Sequence, residues 1–209
     1  MMRRVAAIFV LSLLLAALCS GASAQQGVVT SSEAPKDAGF RLKGLDGKFY
    51  DTSQMRGDVL VVSFGSTWCV PCISEIVAIE ELKEEYAHKP VRFMWVNIED
   101  PRRTSNNILK YFVKERGMTI PVLRDPGGET LSQYSTATRI PVMVFFDRDG
   151  HVSGPVGHGM MQDITTYKQH LRERVNALLA ARGRADRVAR REVVFRARCP
   201  ITRAAFEPR

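Results

Sequence analysis

The chain has 209 residues, of which 45% are apolar and 25% charged, and its formal net charge is +8. These values are typical of a soluble globular protein with one domain of ordinary size, and they exclude two full domains. The positive charge lies at the two ends, and residues 183–209 alone hold eight Arg against three acidic residues. Because residues 25–182 are nearly neutral, the folded part has no electrostatic basis for binding nucleic acid.

The first 24 residues have the pattern of a secretory signal peptide. Two arginines precede an apolar run from Val5 to Leu18, and residues 22–24 (Ala-Ser-Ala) have the small side chains that signal peptidase requires. Cleavage before Gln25 is expected, which predicts a periplasmic or other extracytoplasmic protein. A retained membrane anchor and a lipid on Cys19 are the alternatives, and contact with a membrane is expected only through an uncleaved signal.

The rest of the chain divides into a linker at residues 25–37, a folded domain at 38–182 and a basic tail at 183–209 whose composition predicts disorder. Alternating apolar residues predict strands, intervals of three and four predict helices, and Asp-Gly pairs with positive φ at both residues predict hairpin turns. The predicted elements are a hairpin over 40–50 around Asp46-Gly47, a buried strand within 58–65, a helix to about His88, a strand at 91–98, a helix at 106–116, a strand at 120–123, a helical turn at 129–134, a hairpin of 142–146 with 151–156, and a helix at 163–182. This order predicts an α/β protein with a central mixed β-sheet, helices on both faces and an N-terminal β-hairpin extension.

Cys69 and Cys72 are separated by two residues and lie between the buried strand and the helix that follows it. The N-terminus of a helix favours a thiolate, so Cys69 is the expected nucleophile, and Cys72 would resolve the mixed disulfide. A zinc site needs four ligands, and the sequence has no second Cys pair or closely spaced His pair. A static disulfide across so short a loop would stabilise the fold little. Redox exchange is therefore expected, with no metal and no other cofactor.

Several ordered motifs make residues 40–182 resemble the TlpA/ResA family of thioredoxin-like periplasmic thiol–disulfide oxidoreductases. The motifs are Asp46-Gly47-Lys48, the strand Val59–Phe64 that leads into Thr67-Trp68-Cys69-Val70-Pro71-Cys72, then Thr138-Arg139-Ile140-Pro141, Asp147-Arg148-Asp149-Gly150, and Gly157 before the last helix. The resemblance implies a thioredoxin-like fold and an enzyme that exchanges disulfides with other proteins.

The resemblance also implies roles for particular residues. Ile140-Pro141 would form a cis-proline loop that faces the cysteines and presents backbone groups to a substrate strand. Trp68 and Pro71 would contact the partner protein, with packing as the alternative for Trp68. Glu75 would tune the cysteines and assist proton transfer, with a raised pKa if it is buried, and a solvated helix position is its alternative.

The sequence departs from the family pattern at three places. Ser63 stands where cytosolic thioredoxins have a buried acid, so that proton route is expected to be absent. Gly65-Ser66 replaces a bulky aromatic residue followed by Ala, which is expected to open space beside Trp68. Val77 stands where many relatives have a helix-kinking proline.

Together these features predict a reductase of disulfides in extracytoplasmic proteins, of the kind used in cytochrome c maturation or metal-centre assembly. A membrane-bound thiol donor would keep it reduced. The alternatives are a disulfide oxidase or isomerase of secreted proteins, and a non-catalytic binding module that uses the basic tail. The direction of exchange depends on the reduction potential, which the sequence does not reveal. Cys199 in the tail is expected to be an idle exposed thiol, with a resolving or anchoring role as the alternative.

Overall fold

The computed structural model describes residues 38–136, 139–161 and 163–198, and for residues 182–198 it describes the backbone. The predicted signal peptide and linker therefore lie outside the described residues. The elements are β1 (Arg41–Gly44), β2 (Phe49–Asp51), a 3-10 helix (Thr52–Met55), β3 (Val59–Gly65), α1 (Val70–Glu85), β4 (Val91–Asn97), α2 (Asn106–Glu115), β5 (Val122–Arg124), α3 (Glu129–Ser132), β6 (Val142–Phe146), β7 (Gly157–His158) and α4 (Ile164–Arg198).

The strands of the described residues form one mixed sheet in the order β2-β1-β5-β4-β3-β6-β7. β3 and β4 are parallel and joined through α1, β4 and β5 are parallel and joined through α2, and β6 runs antiparallel to β3. All seven residues of β3 are buried, as expected for a continuous apolar strand that is covered on both faces. The predicted α/β class with a central mixed sheet is confirmed.

Alternate residues of the strands face two separate hydrophobic clusters, because successive side chains of a strand point to opposite faces. One cluster combines Val61 and Trp95 with apolar side chains of α1, α2 and α4. The other combines Leu60 and Val62 with Leu131 of α3. Helices therefore lie on both faces of the sheet, and the hairpin of β1 and β2 extends it at one edge through the pairing of β1 with β5.

The first hairpin forms where it is predicted, but its turn differs in conformation. Of the residues in this turn, Gly47 alone has a positive φ, of 85°. Gly44 N donates to Lys48 O at 2.8 Å and Gly47 N donates to Gly44 O at 3.0 Å. These bonds enclose a three-residue loop, from Leu45 to Gly47. In such a loop the glycine adopts the left-handed conformation, and Asp46 does not need a positive φ.

The second arm of the later hairpin is much shorter than the predicted strand at 151–156. In that segment the only strand-type pairing is a bridge between Val152 and Phe146, and regular pairing with β6 resumes in β7. Gly154 has a φ of 64°, and Pro155 has no N–H to donate to a ladder. These two residues interrupt the strand.

The last helix continues past its predicted end at Arg182 as far as Arg198, where the composition predicted disorder. Gly183 is the only glycine or proline in the helix, and the residues after it are rich in Ala and Arg, which are strong helix formers. Residues 199–209, with Cys199, lie outside the described residues. Within the described ranges, no helix combines the length and the apolar character needed to cross a membrane.

Candidate active site

The active-site helix α1 begins directly after a short loop that follows β3. Cys69 caps this helix, and its Sγ accepts a hydrogen bond from the backbone N of Cys72 at 3.2 Å. Pro71 lies in the first turn, where its missing N–H has no partner within the helix. The free N–H groups and the helix dipole favour negative charge at Cys69, so a thiolate is stabilised there when the pair is reduced.

Cys69 and Cys72 are joined by a disulfide, so the structure brings the predicted pair together. The two sulfurs differ in access, because Cys72 is fully buried and Cys69 is 5% exposed. The neighbours of Cys69 on either side, Trp68 and Val70, are 72% and 71% exposed. The sulfur nearer to solvent therefore lies beside an apolar rim, which suits exchange with a partner protein.

A second segment of the chain reaches the disulfide from another strand. The Ile140–Pro141 peptide bond is cis, as the resemblance implies, and Cys69 Sγ lies 3.8 Å from the carbonyl oxygen of Ile140. β6 begins at the next residue, Val142, which pairs with Phe64 of β3. The cis-proline loop and the cysteine loop therefore lie at the same end of two neighbouring strands.

Glu75 lies one helical turn after Cys72 and is fully buried, which excludes the solvated alternative. Ser63 Oγ donates a hydrogen bond to its Oε2, and the Tyr167 hydroxyl donates one to its Oε1. Burial raises the pKa of Glu75 to about 7, and the two hydroxyl donors limit the rise. A carboxyl group with this pKa can gain and lose a proton at neutral pH.

Neither hydroxyl partner of Glu75 is among the predicted site residues. Ser63 replaces the strand acid of cytosolic thioredoxins, but α1 supplies a buried acid beside the same strand, and Ser63 binds it. Tyr167 comes from α4, 92 residues further along the chain. Its pKa is raised by burial and by the nearby charge of Glu75, so it remains a neutral donor. Tyr167 lies on an apolar stripe of α4 with Leu171 and Val175, and this spacing indicates burial but not the contact with Glu75.

Whether Glu75 is buried is difficult to predict, because the sequence of α1 does not show which face of the helix points inward. The spacing of the apolar residues in this helix predicts that Val77 lies on its inner face, yet Val77 is 53% exposed. Apolar residues lie on both sides of this helix, so periodicity alone does not identify its inner face. The buried residues of α1 are Cys72, Glu75, Ile76, Ala78, Ile79 and Leu82.

Glu99, which the sequence did not single out, anchors the loop that carries the cysteines. One of its oxygens accepts a bond from Thr67 N at 2.7 Å, and the other accepts one from Thr67 Oγ1 at 3.0 Å. Burial opposes its charge, but bonds from Thr67, Thr104 and Asn97 outweigh this effect and hold its pKa below the ordinary value. An ionised carboxylate thus fixes the backbone two residues before Cys69.

A side chain at Gly65 would meet Trp95 and Cys72, so the space on that side of the residue is filled. A Cβ placed on Gly65 would lie 3.0 Å from Trp95 Nε1 and 3.1 Å from both Cβ and Sγ of Cys72. The position is therefore filled by the side chains of Trp95 and Cys72, and only glycine fits without displacing one of them.

The mixed sheet, the cysteine pair at a helix N-terminus and the facing cis-proline define a class, the thioredoxin-like thiol–disulfide oxidoreductases. Residues 29–160 match the Redoxin family, and the chain belongs to that family.

Curated relatives and solved structures agree with this class. The chain is 29% identical over 130 residues to the thiol-disulfide oxidoreductase ResA of Bacillus cereus, covering 62% of this chain and 70% of that protein. It is 29% identical over 144 residues to ResA of Geobacillus thermodenitrificans, covering 69% and 77% of the two chains.

Among solved structures, a thioredoxin-family thiol:disulfide interchange protein of Chlorobium tepidum superposes with a TM-score of 0.58 at 24% identity, covering 71% of this chain and 98% of that one. A secreted disulfide oxidoreductase of Mycobacterium tuberculosis gives a TM-score of 0.52 at 21% identity, covering 68% and 97%. These two likenesses show the fold.

Proposed function

We propose that this thiol–disulfide oxidoreductase works as a reductase of disulfides in other proteins outside the cytoplasm. The observation that carries the proposal is the buried Glu75, one turn from the resolving Cys72, with a pKa near neutrality. In the reducing direction the Cys72 thiol must lose a proton before it can attack, and a carboxylate that titrates near pH 7 suits that step.

The exchange proceeds in two attacks. The Cys69 thiolate attacks a substrate disulfide, forms a mixed disulfide and releases the first substrate thiolate. Cys72 then gives up its proton, attacks Cys69 Sγ, closes the intramolecular disulfide and releases the second thiolate. Two electrons pass from the cysteine pair to the substrate, whose two thiolates take up protons. An external dithiol, proposed to be membrane-bound, must then reduce the Cys69–Cys72 disulfide again.

The apolar rim supports a protein substrate. Trp68 and Val70 are exposed beside Cys69, and the Ile140 carbonyl oxygen lies 3.8 Å from its sulfur. We assign the rim and the loop of Ile140 and Pro141 to substrate binding, with backbone groups and apolar side chains as the contacts. Cytochrome c maturation and metal-centre assembly are the proposed processes.

Equilibrium with glutathione tests the direction of exchange. The protein used carries Cys19→Ser and Cys199→Ser, so that Cys69 and Cys72 are its only redox-active pair. We expect a reduction potential closer to the roughly −270 mV of thioredoxin than to the roughly −120 mV of DsbA. The measurement is the fraction of disulfide across a series of glutathione redox buffers. A value near that of DsbA would contradict the reductase proposal and favour the oxidase or isomerase.

An extracytoplasmic location is proposed from the signal-like residues 1–24. The similar protein of Mycobacterium tuberculosis is described as secreted, which supports this location. We expect the full chain, expressed in a bacterium and fractionated by osmotic shock, to be released with Gln25 as its first residue by mass spectrometry. A chain that lacks residues 1–24 is the control and should stay inside the cell. Recovery of the full chain only in the cytoplasm, with its first residues intact, would contradict the proposal.

A further inference from the structure

Trp95 has a buried indole N–H without a partner in the described part of the chain. The side chain is fully buried, and among the described residues Nε1 has no hydrogen-bond partner. Trp95 lies on β4 opposite Ser63 of β3, and its ring stacks on Phe112 with centroids 5.9 Å apart. An unsatisfied buried N–H costs about 1–3 kcal/mol, whereas phenylalanine at this position could stack on Phe112 without that cost. The indole N–H therefore carries a free-energy cost in the disulfide form.

The indole N–H and the resolving sulfur both border the side-chain position of Gly65. The position that a Cβ of Gly65 would occupy is 3.0 Å from Trp95 Nε1 and 3.1 Å from Cys72 Sγ, so the two atoms are at most about 6 Å apart. Because residue 65 is glycine, it places no side chain of its own between the donor and the sulfur. No hydrogen bond joins the two in the disulfide form, where the sulfur of Cys72 is bonded to Cys69 and is a weak acceptor.

Reduction changes the acceptor but not the donor. When the disulfide opens, Cys72 carries a thiol that becomes a thiolate before it attacks, and a charged acceptor strengthens a hydrogen bond roughly twofold. We propose that Trp95 Nε1–H donates a hydrogen bond to Cys72 Sγ in the reduced protein and stabilises the resolving thiolate. Trp95 is then a further catalytic residue, since it contacts a reacting atom.

The sign of the effect follows from the two redox states. In the disulfide form the N–H is unsatisfied, and in the dithiol form it is paired, so the interaction favours the dithiol. Stabilisation of the reduced form makes a cysteine pair more oxidising. This inference rests on the disulfide chemistry of Cys69 and Cys72, and it holds whichever direction the exchange takes in the cell.

Nuclear magnetic resonance of the indole groups tests the contact without any substitution at Trp95. The chain has two tryptophans, so two indole N–H signals are expected, one from the exposed Trp68 and one from the buried Trp95. We expect the Trp95 proton to move downfield on reduction and to titrate with Cys72. Glu75 of α1 and Tyr167 of α4 are titratable groups on the same side of the sheet, so the titration is repeated in Glu75→Gln. An indole signal that is the same in both redox states would overturn the inference.

Trp95→Phe tests the energetic consequence. We expect its equilibrium with glutathione to shift about tenfold toward the disulfide, which corresponds to a potential lower by about 30 mV. Tyr86→Phe is the matched control, because it removes a hydroxyl that donates to Asn176 Oδ1 at 2.9 Å without approaching the cysteines. Equal potentials in the two variants would overturn the inference. If the wild-type potential is not that of a reductase, the difference between Trp95→Phe and Tyr86→Phe can still be observed. The two proposals can therefore fail independently.

Discussion

A Cys72→Ser variant should accumulate mixed disulfides with its substrates through Cys69, and its catalytic turnover should fall to the uncatalysed rate. Cys69 keeps its place at the helix N-terminus and can still attack, but no second thiol remains to release the partner. The partners should be visible on non-reducing gels of cells that produce the variant, and should disappear on reduction. Mass spectrometry of the released proteins would then identify the substrates.

Cys69→Ser is the control for this experiment. It retains Cys72 and Cys199 but lacks the nucleophile, so it should trap nothing and should be equally inactive. Adducts that persist in Cys69→Ser would come from Cys72 or Cys199, and their loss on adding Cys199→Ser would assign the tail a role in capture. If Cys72→Ser captured no protein under conditions in which the wild type is active, the exchange mechanism through Cys69 would be wrong.

Glu75→Gln should remove a pH dependence from the stability of the oxidised protein. Burial raises the pKa of Glu75 from 4.5 to about 7. A group whose pKa is raised on folding contributes stability fully below its unfolded pKa and loses it as the pH rises through the folded value. The free energy of unfolding of the wild type should therefore fall by about 3 kcal/mol between pH 4.5 and pH 7 through this group. Urea unfolding at pH 5, 6, 7 and 8 measures the slope.

In Glu75→Gln the slope over this pH range should flatten, because the amide stays neutral while still offering groups to Ser63 and Tyr167. Glu84→Gln, an exposed change on the same helix, should leave the slope as it is in the wild type. The rate at which Cys72 resolves a mixed disulfide should likewise lose its inflection near pH 7 in Glu75→Gln only. A slope that is identical in wild type and Glu75→Gln would show that the carboxyl does not titrate in this range.

Local patterns predicted the elements that lead to the site. The apolar run at the start of β3, Val59–Val62, is recognisable because a strand covered on both faces is built mainly from apolar residues. The cysteine spacing after it identifies the start of α1, since the two thiols and the helix N-terminus are defined within a few residues. The cis bond before Pro141 followed from the family resemblance, because local sequence does not determine that isomer.

Contacts between distant segments could not be predicted in this way. Tyr167 meets Glu75 only because α4 packs on α1, and Trp95 approaches Cys72 only because β4 pairs with β3 in a register that places Trp95 beside Ser63. Strand register and helix docking are properties of the whole sheet, so single positions carry no signal for them. The inner face of α1 was misjudged for a related reason, since apolar residues occur on both of its sides.

The bond between Glu75 and Tyr167 has a consequence for the order in which the site is assembled. In a chain that is exported from its N-terminus, the cysteine pair and Glu75 emerge well before Tyr167, which lies on the last helix of the described chain. Until that helix docks, the Glu75 carboxyl lacks the Tyr167 hydroxyl as a hydrogen-bond donor and is not shielded from water by α4. The emerging domain therefore holds both thiols before it holds the environment that tunes them, and we expect full exchange activity only after α4 has docked.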